Sequence, residues 1–284
     1  MEVIEIREKR LSRTVLADDG AEIRWEQSPG RMPLLLVPGL GGDSTCWGNV
    51  FLMKLRASGI SLVTYDPRGL GDSSSGSDSP SLALFAEDAA SVAAAAGERC
   101  AVLGWSMGVS VALELALAHP ERVVCLVLCC GTSDHGELVR RRPELFRPVV
   151  DCRVPIETLA EYMADLLCPA SSGSGPEQIK MFSAAVRRSF ERSSEGIRAQ
   201  QNVLKAIRPF GERLRRIDIP VLVISGSDDQ LVPAEEGRAL ARVIPGARFE
   251  LWPGGHGLLY EYPGELAGHI AEYLESCSGD AASR

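Results

Sequence analysis

Long apolar runs, an excess of basic residues and a recognisable leader are all missing from this chain of 284 residues. It carries 30 lysine and arginine residues against 38 acidic residues, which gives a net charge of −8. This balance argues against a nucleic-acid partner, since nucleic-acid binders normally show a basic surface. No apolar stretch approaches the roughly 18–20 residues that cross a bilayer, and residues 1–5 lack the basic and apolar segments of a signal peptide. We therefore expect a soluble, cytoplasmic protein with no membrane partner.

Paired cysteines and cysteine–histidine clusters are also missing. The eight cysteines form no C-x-x-C, and none stands near a histidine at the spacing of a zinc site. Three of them, Cys125, Cys129 and Cys130, lie in an apolar run, where a free thiol packs as a small hydrophobic side chain. These patterns predict free structural thiols in a reducing compartment, without a bound metal.

Short apolar runs alternate with helical patterns along most of the chain. The apolar runs lie at 34–37, 60–65, 100–105, 123–130, 220–224 and 247–251. Before them, two alternating stretches flank Asp18-Asp19-Gly20, a turn signal typical of a hairpin. Apolar strands separated by helices predict an α/β fold, with a mainly parallel central sheet that helices cover on both faces.

The alternation stops between residues 134 and 216, where helical patterns occur without a strand. The helical patterns cover 137–150, 156–167, 177–192 and 195–208. We interpret 134–216 as a helical cap inserted into a core domain that is formed by residues 1–133 and 217–284. The cap holds 15 basic and 11 acidic residues, although the whole chain is acidic. This balance indicates either that the cap arginines lie on solvated helix faces, or that they form a positively charged surface over an acidic or carbonyl-rich substrate.

The pentapeptide Gly104-Trp105-Ser106-Met107-Gly108 has the pattern G-x-S-x-G and lies between a predicted strand and a predicted helix. A sharp strand-to-helix turn needs small flanking residues, and it lifts the central side chain above the end of the strand. The helix N-terminus beside that side chain favours developing negative charge. Ser106 is therefore the candidate nucleophile.

A serine hydroxyl is a weak nucleophile that needs a base, and the chain has only four histidines. His256 follows the last predicted strand in a glycine-rich loop, at the sheet edge where the carboxyl ends of parallel strands present functional groups. The other three, His119, His135 and His269, lie at or within predicted helices and are expected to be surface or packing residues. We predict that His256 is the general base.

The base in turn needs a carboxylate, and two adjacent aspartates follow the strand predicted at 220–224. We favour Asp229, because Asp228 is well placed to cap the turn through its own backbone. Asp228 stays the alternative, and Asp134, which follows the run at 123–130, is a more distant third candidate.

Amides for an oxyanion are expected in Pro38-Gly39-Leu40-Gly41-Gly42, the glycine-rich segment after the strand at 34–37. Its glycines let backbone N–H groups face a pocket. We predict that the N–H groups of Leu40 and Met107 form the oxyanion hole. The alternative is a phosphate-binding loop, but no Gly-Lys-Ser/Thr follows and the G-x-G-x-x-G spacing is absent.

Together these residues resemble the α/β-hydrolase superfamily over nearly the whole chain. Ser106, Asp229 and His256 follow one another in the family's order, and residues 65–73 are similar to its loop D-x-R-G-x-G-x-S. The insertion falls where the family carries its cap. The chain departs from the family in two places: Pro38 replaces the histidine usual at the oxyanion turn, and Val109 stands where many relatives have a further glycine. The first departure concerns the shape of the acyl pocket, and the second concerns packing.

Within that superfamily the chain is most similar to small bacterial carboxylesterases and enol-lactone hydrolases. The resemblance implies a serine hydrolase that cleaves a small-molecule carboxylic ester or lactone through an acyl-enzyme, without a metal or organic cofactor. The same three residues also fit thioester or C–C hydrolysis, perhydrolysis or cyclisation in a biosynthetic pathway. A ligand-binding homologue without catalysis is the alternative from another functional class.

Candidate substrate contacts are apolar or aromatic residues next to the nucleophile and on the cap. They are Trp105, Phe146, Met163, Phe182 and Phe190. On amphipathic helices such residues also form the core, so the alternative for the four cap residues is packing. Apolar cap faces also allow two copies to pair as a homodimer.

Overall fold

An eight-stranded sheet runs through the computed structural model, which describes residues 12–97, 99–167 and 176–281. The side chains of residues 176–182, 185 and 278–281 lie outside that description. The strands are β1 (Arg13–Leu16), β2 (Glu22–Gln27), β3 (Pro33–Val37), β4 (Ser61–Tyr65), β5 (Cys100–Trp105), β6 (Val123–Cys129), β7 (Val221–Gly226) and β8 (Arg248–Trp252).

The sheet is mainly parallel, which confirms the expectation from the sequence. Its strand order is β1-β2-β4-β3-β5-β6-β7-β8. The β1–β2 and β2–β4 pairs are antiparallel, and the other neighbouring pairs are parallel. The hairpin between β1 and β2 turns at Asp18-Asp19-Gly20, where Gly20 has a φ of 83°.

Helices connect the strands and flank the sheet. Those among the described residues are α1 (Asn49–Ala57), α2 (Leu82–Ala96), α3 (Met107–Ala118), α4 (His135–Arg141), α5 (Pro143–Val150), α6 (Ile156–Leu167), α7 (Pro176–Arg192), α8 (Ser194–Ala206), α9 (Ala234–Val243), α10 (Leu258–Glu261) and α11 (Pro263–Ala281). Helix α1 packs against α11, and α2 packs against α3. Strands β5 and β7 are buried along their whole length, as expected for strands covered on both faces.

Five helices, α4 to α8, lie between β6 and β7, in the segment interpreted as a cap. The single helix predicted over 137–150 was wrong, because the chain forms two helices there. Proline disfavours helical geometry in the residue before it, and Arg142 accordingly has a φ of −127° and a ψ of 56°. Helix α5 then begins at Pro143, where the missing N–H costs nothing.

In the part of the chain that the structure describes, no helix combines the length and the apolar character needed to cross a membrane.

Candidate active site

Ser106 stands at the turn between β5 and α3 in a strained backbone conformation. Its φ of 57° and ψ of −124° lie where residues other than glycine are rare. The flanking glycines pack on each other, because a Cβ on Gly104 would lie 2.6 Å from the carbonyl oxygen of Gly108. The N–H of Ser106 donates to the carbonyl of Cys129 at 3.0 Å, which ties the turn to β6. The turn thus holds the hydroxyl at the carboxyl end of β5, beside the N-terminus of α3.

Val109, where many relatives have a glycine, is accommodated by Gly131 after β6. Val109 is fully buried, and a Cβ on Gly131 would lie 2.3 Å from its Cγ2 atom. The missing side chain of Gly131 supplies the room that Val109 occupies. This departure therefore changes packing and leaves the turn at Ser106 in place.

His256 and Asp229 form a buried pair at the same edge of the sheet. His256 Nδ1 lies 2.7 Å from Asp229 Oδ2, and both side chains are 0% exposed. The other carboxylate oxygen, Oδ1, accepts from the N–H of Leu231 at 2.9 Å and from the N–H of Val232 at 2.8 Å. A carboxylate that only accepts assigns a proton to Nδ1, so in the neutral ring the lone pair is on Nε2. Among the described residues, this buried Nε2 has no hydrogen-bond partner.

The other two aspartate candidates make local contacts instead. Asp228 is exposed, and its Oδ2 accepts from Ser227 Oγ at 2.9 Å. Asp134 caps α4, because its side chain accepts from the N–H of Glu137 at 2.9 Å. Asp229 is thus the aspartate that lies against the histidine.

Trp105 joins the serine turn to the histidine loop. It directly precedes Ser106, and its indole N–H donates to the carbonyl oxygen of His256 at 3.0 Å. Its ring centroid lies 6.0 Å from that of His256 and 6.2 Å from that of Tyr260. The buried side chain of Trp105 therefore fixes the position of the serine turn relative to the histidine loop.

The glycine-rich segment 39–42 passes directly over Ser106. A Cβ on Gly39 would lie 3.0 Å from Ser106 Cβ and 3.5 Å from its Oγ. The N–H of Gly42 donates to the carbonyl of Gly39 at 3.0 Å, which closes a tight turn. Among the described residues, the N–H of Leu40 donates to no acceptor. The N–H of Met107 belongs to the first turn of α3, where backbone amides have no partner within the helix.

A cavity of about 40 Å³ opens at Ser106, between segment 39–42 and the cap. Its lining residues are Gly39, Leu40, Gly41, Gly42, Thr45, Cys46, Trp105, Ser106, Met163, Leu167, Val186, Ser189, Phe190 and Tyr260. None of these described residues is charged. Among the cap side chains that the structure describes, no basic one therefore lines this cavity.

The candidate substrate contacts separate into three groups. Trp105, Met163 and Phe190 line the cavity, whereas Phe146 is buried and lies away from it. Phe182 belongs to α7, but its side chain lies outside the described ones. Tyr260, whose hydroxyl donates to the carbonyl of Cys46, also lines the cavity and was not predicted from the sequence. Its position four residues after His256 is the one signal that could have pointed to it.

The remaining histidines lie outside this pair, at two partly exposed sites and one buried site. His119 and His269 are partly exposed, and each contacts a glutamate. His135 is buried at the start of α4, with its Nδ1 2.7 Å from Ser110 Oγ on α3. Burial is the main cause that lowers the pKa of His135 to about 3. His135 is therefore a neutral packing residue where the cap meets α3.

The loop after β4 supports the site through buried charges. Arg68 donates to Asp88 at 2.6 and 2.7 Å and to Asp19 at 2.7 Å, and all three side chains are buried. The Arg68 hydrogen bond lowers the pKa of Asp19 to about 2. Asp66, in the same loop, accepts from the N–H of Ser44 at 2.9 Å and so attaches this loop to the chain that follows segment 39–42.

One group of potential metal ligands among the described residues shares the histidine–aspartate pair. The ligand atoms of Cys130, Asp229 and His256 lie within 4.8 Å of one another. A hydrogen bond with Cys129 and burial raise the pKa of the Cys130 thiol, although metals bind the thiolate. Both oxygens of Asp229 already have partners, Oδ2 with His256 and Oδ1 with two backbone N–H groups, so this group forms a hydrogen-bonded pair and not a set of ligands open to a metal ion.

A family model described as "Alpha/beta hydrolase family" matches residues 34–269. The chain belongs to this family.

Relatives of this α/β hydrolase are hydrolases of several kinds. It is 30% identical over 271 residues to the protein named "Putative carbamate hydrolase RutD" of Caulobacter sp. (strain K31), covering 92% of this chain and 96% of the relative. It is 27% identical to a thermophilic esterase from Thermogutta terrifontis, with a TM-score of 0.79 over 95% and 99% of the two chains. The enol-lactonase from Burkholderia xenovorans LB400 is 21% identical, with a TM-score of 0.80 over 93% and 100%, and shares the fold. Family and relatives together indicate a hydrolase.

Proposed function

We propose that this α/β hydrolase is a serine hydrolase that cleaves a small carboxylic ester or lactone through an acyl-enzyme. The observation that carries the proposal is the buried pair of His256 and Asp229, at the sheet edge where Ser106 is held in a strained turn. The pair leaves Nε2 of His256 free to accept a proton. The Nε2 of His135 is also buried without a partner among the described residues, so the feature that singles out His256 is the contact of its Nδ1 with a buried carboxylate.

In the proposed reaction, Ser106 Oγ attacks the substrate carbonyl while Nε2 of His256 takes the hydroxyl proton. Asp229 stabilises the imidazolium that forms, and the N–H groups of Leu40 and Met107 stabilise the oxyanion. His256 then gives the proton to the leaving alkoxide, so that the acyl group stays on Ser106. Water, deprotonated by the same ring nitrogen, releases the carboxylic acid and restores the serine.

The cavity favours an acyl group that is small and uncharged. A volume of about 40 Å³ accommodates only a few water-sized groups. Its walls include Leu167, Val186 and Phe190, and none of its described lining residues is charged. A carboxylate or ammonium on the acyl group would lose its hydration there without gaining a partner, which is costly.

Carbamate hydrolysis is the second candidate, because relatives from Caulobacter and Klebsiella carry that activity in their names. The free carbamate anion fits the cavity poorly, since attack on it would add a second negative charge where the described lining has no cation. An uncharged carbamate ester avoids this obstacle and uses the same attack by Ser106.

The proposal is tested by the turnover of p-nitrophenyl acetate, butyrate and octanoate and of a small lactone, with wild type beside Ser106→Ala. We expect wild type to prefer the two short esters and the substitution to abolish turnover. A fluorophosphonate probe should label wild type only, because it reacts with an activated serine. Folded wild type that shows neither turnover nor labelling would contradict the proposal.

The alternatives give different results in the same assay. Breakdown of the carbamate anion above its spontaneous rate, abolished in Ser106→Ala and without ester turnover, would favour the carbamate anion as substrate. Labelling of Ser106 without turnover of any ester or lactone would favour thioester hydrolysis, C–C hydrolysis or a biosynthetic role. Binding of small esters without labelling would favour a ligand-binding homologue.

A further inference from the structure

Two polar side chains of the cap hold one residue of the segment over Ser106. The N–H of Gly41 donates to Gln200 Oε1 on α8 at 2.8 Å. The hydroxyl of Ser189 on α7 donates to the carbonyl oxygen of Gly41 at 2.6 Å. Both cap side chains are buried, at 4% and 7% exposure for Gln200 and Ser189. Gly41 is thus bonded to the cap through both of its backbone polar groups.

The cap also packs against Gly41 from the side. A Cβ on Gly41 would lie 2.2 Å from Phe190 Cε2, so the ring occupies the space that any side chain would need. The backbone of Gly41 has a φ of 73°, which favours glycine. Three cap residues therefore fix the position of Gly41: Ser189, Phe190 and Gln200.

Fixing Gly41 also fixes the amide of Leu40. The carbonyl of Gly39 and the N–H of Leu40 belong to one planar peptide group and point in opposite directions. The N–H of Gly42 holds that carbonyl at 3.0 Å, and Gly42 is bonded directly to Gly41. The turn formed by residues 39–42 thus sets the direction of the Leu40 N–H, and the cap holds Gly41 within that turn.

We infer that Gln200 and Ser189 are positioning residues for the oxyanion hole, which they align by holding Gly41. This inference rests on the proposed function, since it assigns the Leu40 amide to an oxyanion. The cap then aligns the oxyanion hole and also forms a wall of the cavity. Substitutions of these two residues should lower kcat and leave KM nearly unchanged, because they disturb a contact made in the transition state.

The chain offers a matched control for each residue. Gln201 is also buried, but its Nε2 donates to the carbonyl of Val149 at 2.7 Å, within the cap. Ser193 is a buried cap serine whose Oγ accepts from the N–H of Gly71 at 3.0 Å, so it attaches the cap to a different core loop. Substituting either control removes a hydrogen bond of a buried cap side chain without touching segment 39–42.

The experiment compares Gln200→Met with Gln201→Met, and Ser189→Ala with Ser193→Ala. For each variant, kcat and KM are measured on p-nitrophenyl acetate, together with inhibition by a short-chain trifluoromethyl ketone. This ketone forms a tetrahedral oxyanion adduct with an active serine. Loss of an oxyanion donor typically costs about 10²–10³-fold, so misalignment should cost about 10–100-fold in kcat for Gln200→Met. The inhibition constant should rise by a similar factor, and the control variants should change either quantity by less than about 3-fold.

The inference is overturned if Gln200→Met and Ser189→Ala keep both kcat and the inhibition constant within about 3-fold of their controls. If Gln200→Met does not fold, the two serine variants decide the question by the same comparison. Failure of the proposed function looks different, because wild type itself would then neither turn over the ester nor bind the ketone.

Discussion

The core edge and the cap bring functional groups together in different ways. At the core edge, local chain geometry sets each group: a strained turn at Ser106 and a carboxylate of Asp229 bonded by the next backbone amides. In the cap, amphipathic helices contribute apolar side chains such as Met163 together with two long-range hydrogen bonds to Gly41. In the proposed function, the reaction chemistry belongs to the core edge, and the cap shapes the cavity and, by our inference, aligns one loop.

The largest expected effect concerns the core edge. Asp229→Asn should lower kcat by about 10⁴-fold, because an amide in this position favours the wrong tautomer of His256. Asp228→Asn, one residue away and exposed, should leave kcat nearly unchanged. The measurement is ester turnover by both variants. Equal losses in the two would contradict the assignment of the pair.

The second effect compares buried and exposed charges in the two regions. Arg68→Met should lower the free energy of unfolding by about 3–5 kcal/mol, because it leaves Asp88 and Asp19 buried without their partner. Arg187→Met, which removes an exposed cap pair with Glu161, should cost less than about 1 kcal/mol. Urea unfolding of both variants measures the difference, and similar losses would show that the buried cluster does not stabilise the core.

The third effect is a pH dependence where the cap meets α3. His135 has a pKa of about 3 in the folded protein against 6.5 ordinarily, so the unfolded chain binds its proton first as the pH falls. The stability from neutral His135 is present above pH 6.5 and is lost as the pH falls towards 3, by up to about 1.4 kcal/mol per unit. His135→Gln should remove this part of the slope. If the free energy of unfolding falls with pH equally steeply in wild type and in His135→Gln, His135 is not held neutral by burial.

The smallest effect concerns cap specificity. Met163→Ala should enlarge the cavity and raise the preference for p-nitrophenyl butyrate over acetate by about 10-fold, since one methylene group in an apolar pocket is worth about 1–3 kcal/mol. Phe146→Leu, in a cap residue that is buried away from the cavity, should leave the ratio unchanged. The ratio of kcat/KM for the two esters is the measurement. An unchanged ratio in Met163→Ala would show that this wall does not limit the acyl group.

The parts predictable from the sequence are those with a local physical cause. The parallel sheet follows from its apolar runs, and the tight turn at Ser106 follows from glycines that must approach each other closely. The preference for Asp229 over Asp228 was weaker, because neighbouring carboxylates differ only in what the folded chain places against them. Two adjacent glutamines, Gln200 and Gln201, suggest a solvated helix face, yet both are buried. Their partners lie far away in the chain, so periodicity does not reveal them.

The hydrogen bond between Gly41 and Gln200 joins residues 159 positions apart, and the bond from Ser189 spans 148 positions. Contacts of such long sequence separation carry a large loop-closure entropy and tend to form late in folding. On heating, local opening of the cap would release Gly41 while the sheet is still intact. We therefore expect ester turnover to decline at lower temperature than the far-ultraviolet signal of the sheet, with recovery on cooling before irreversible unfolding begins.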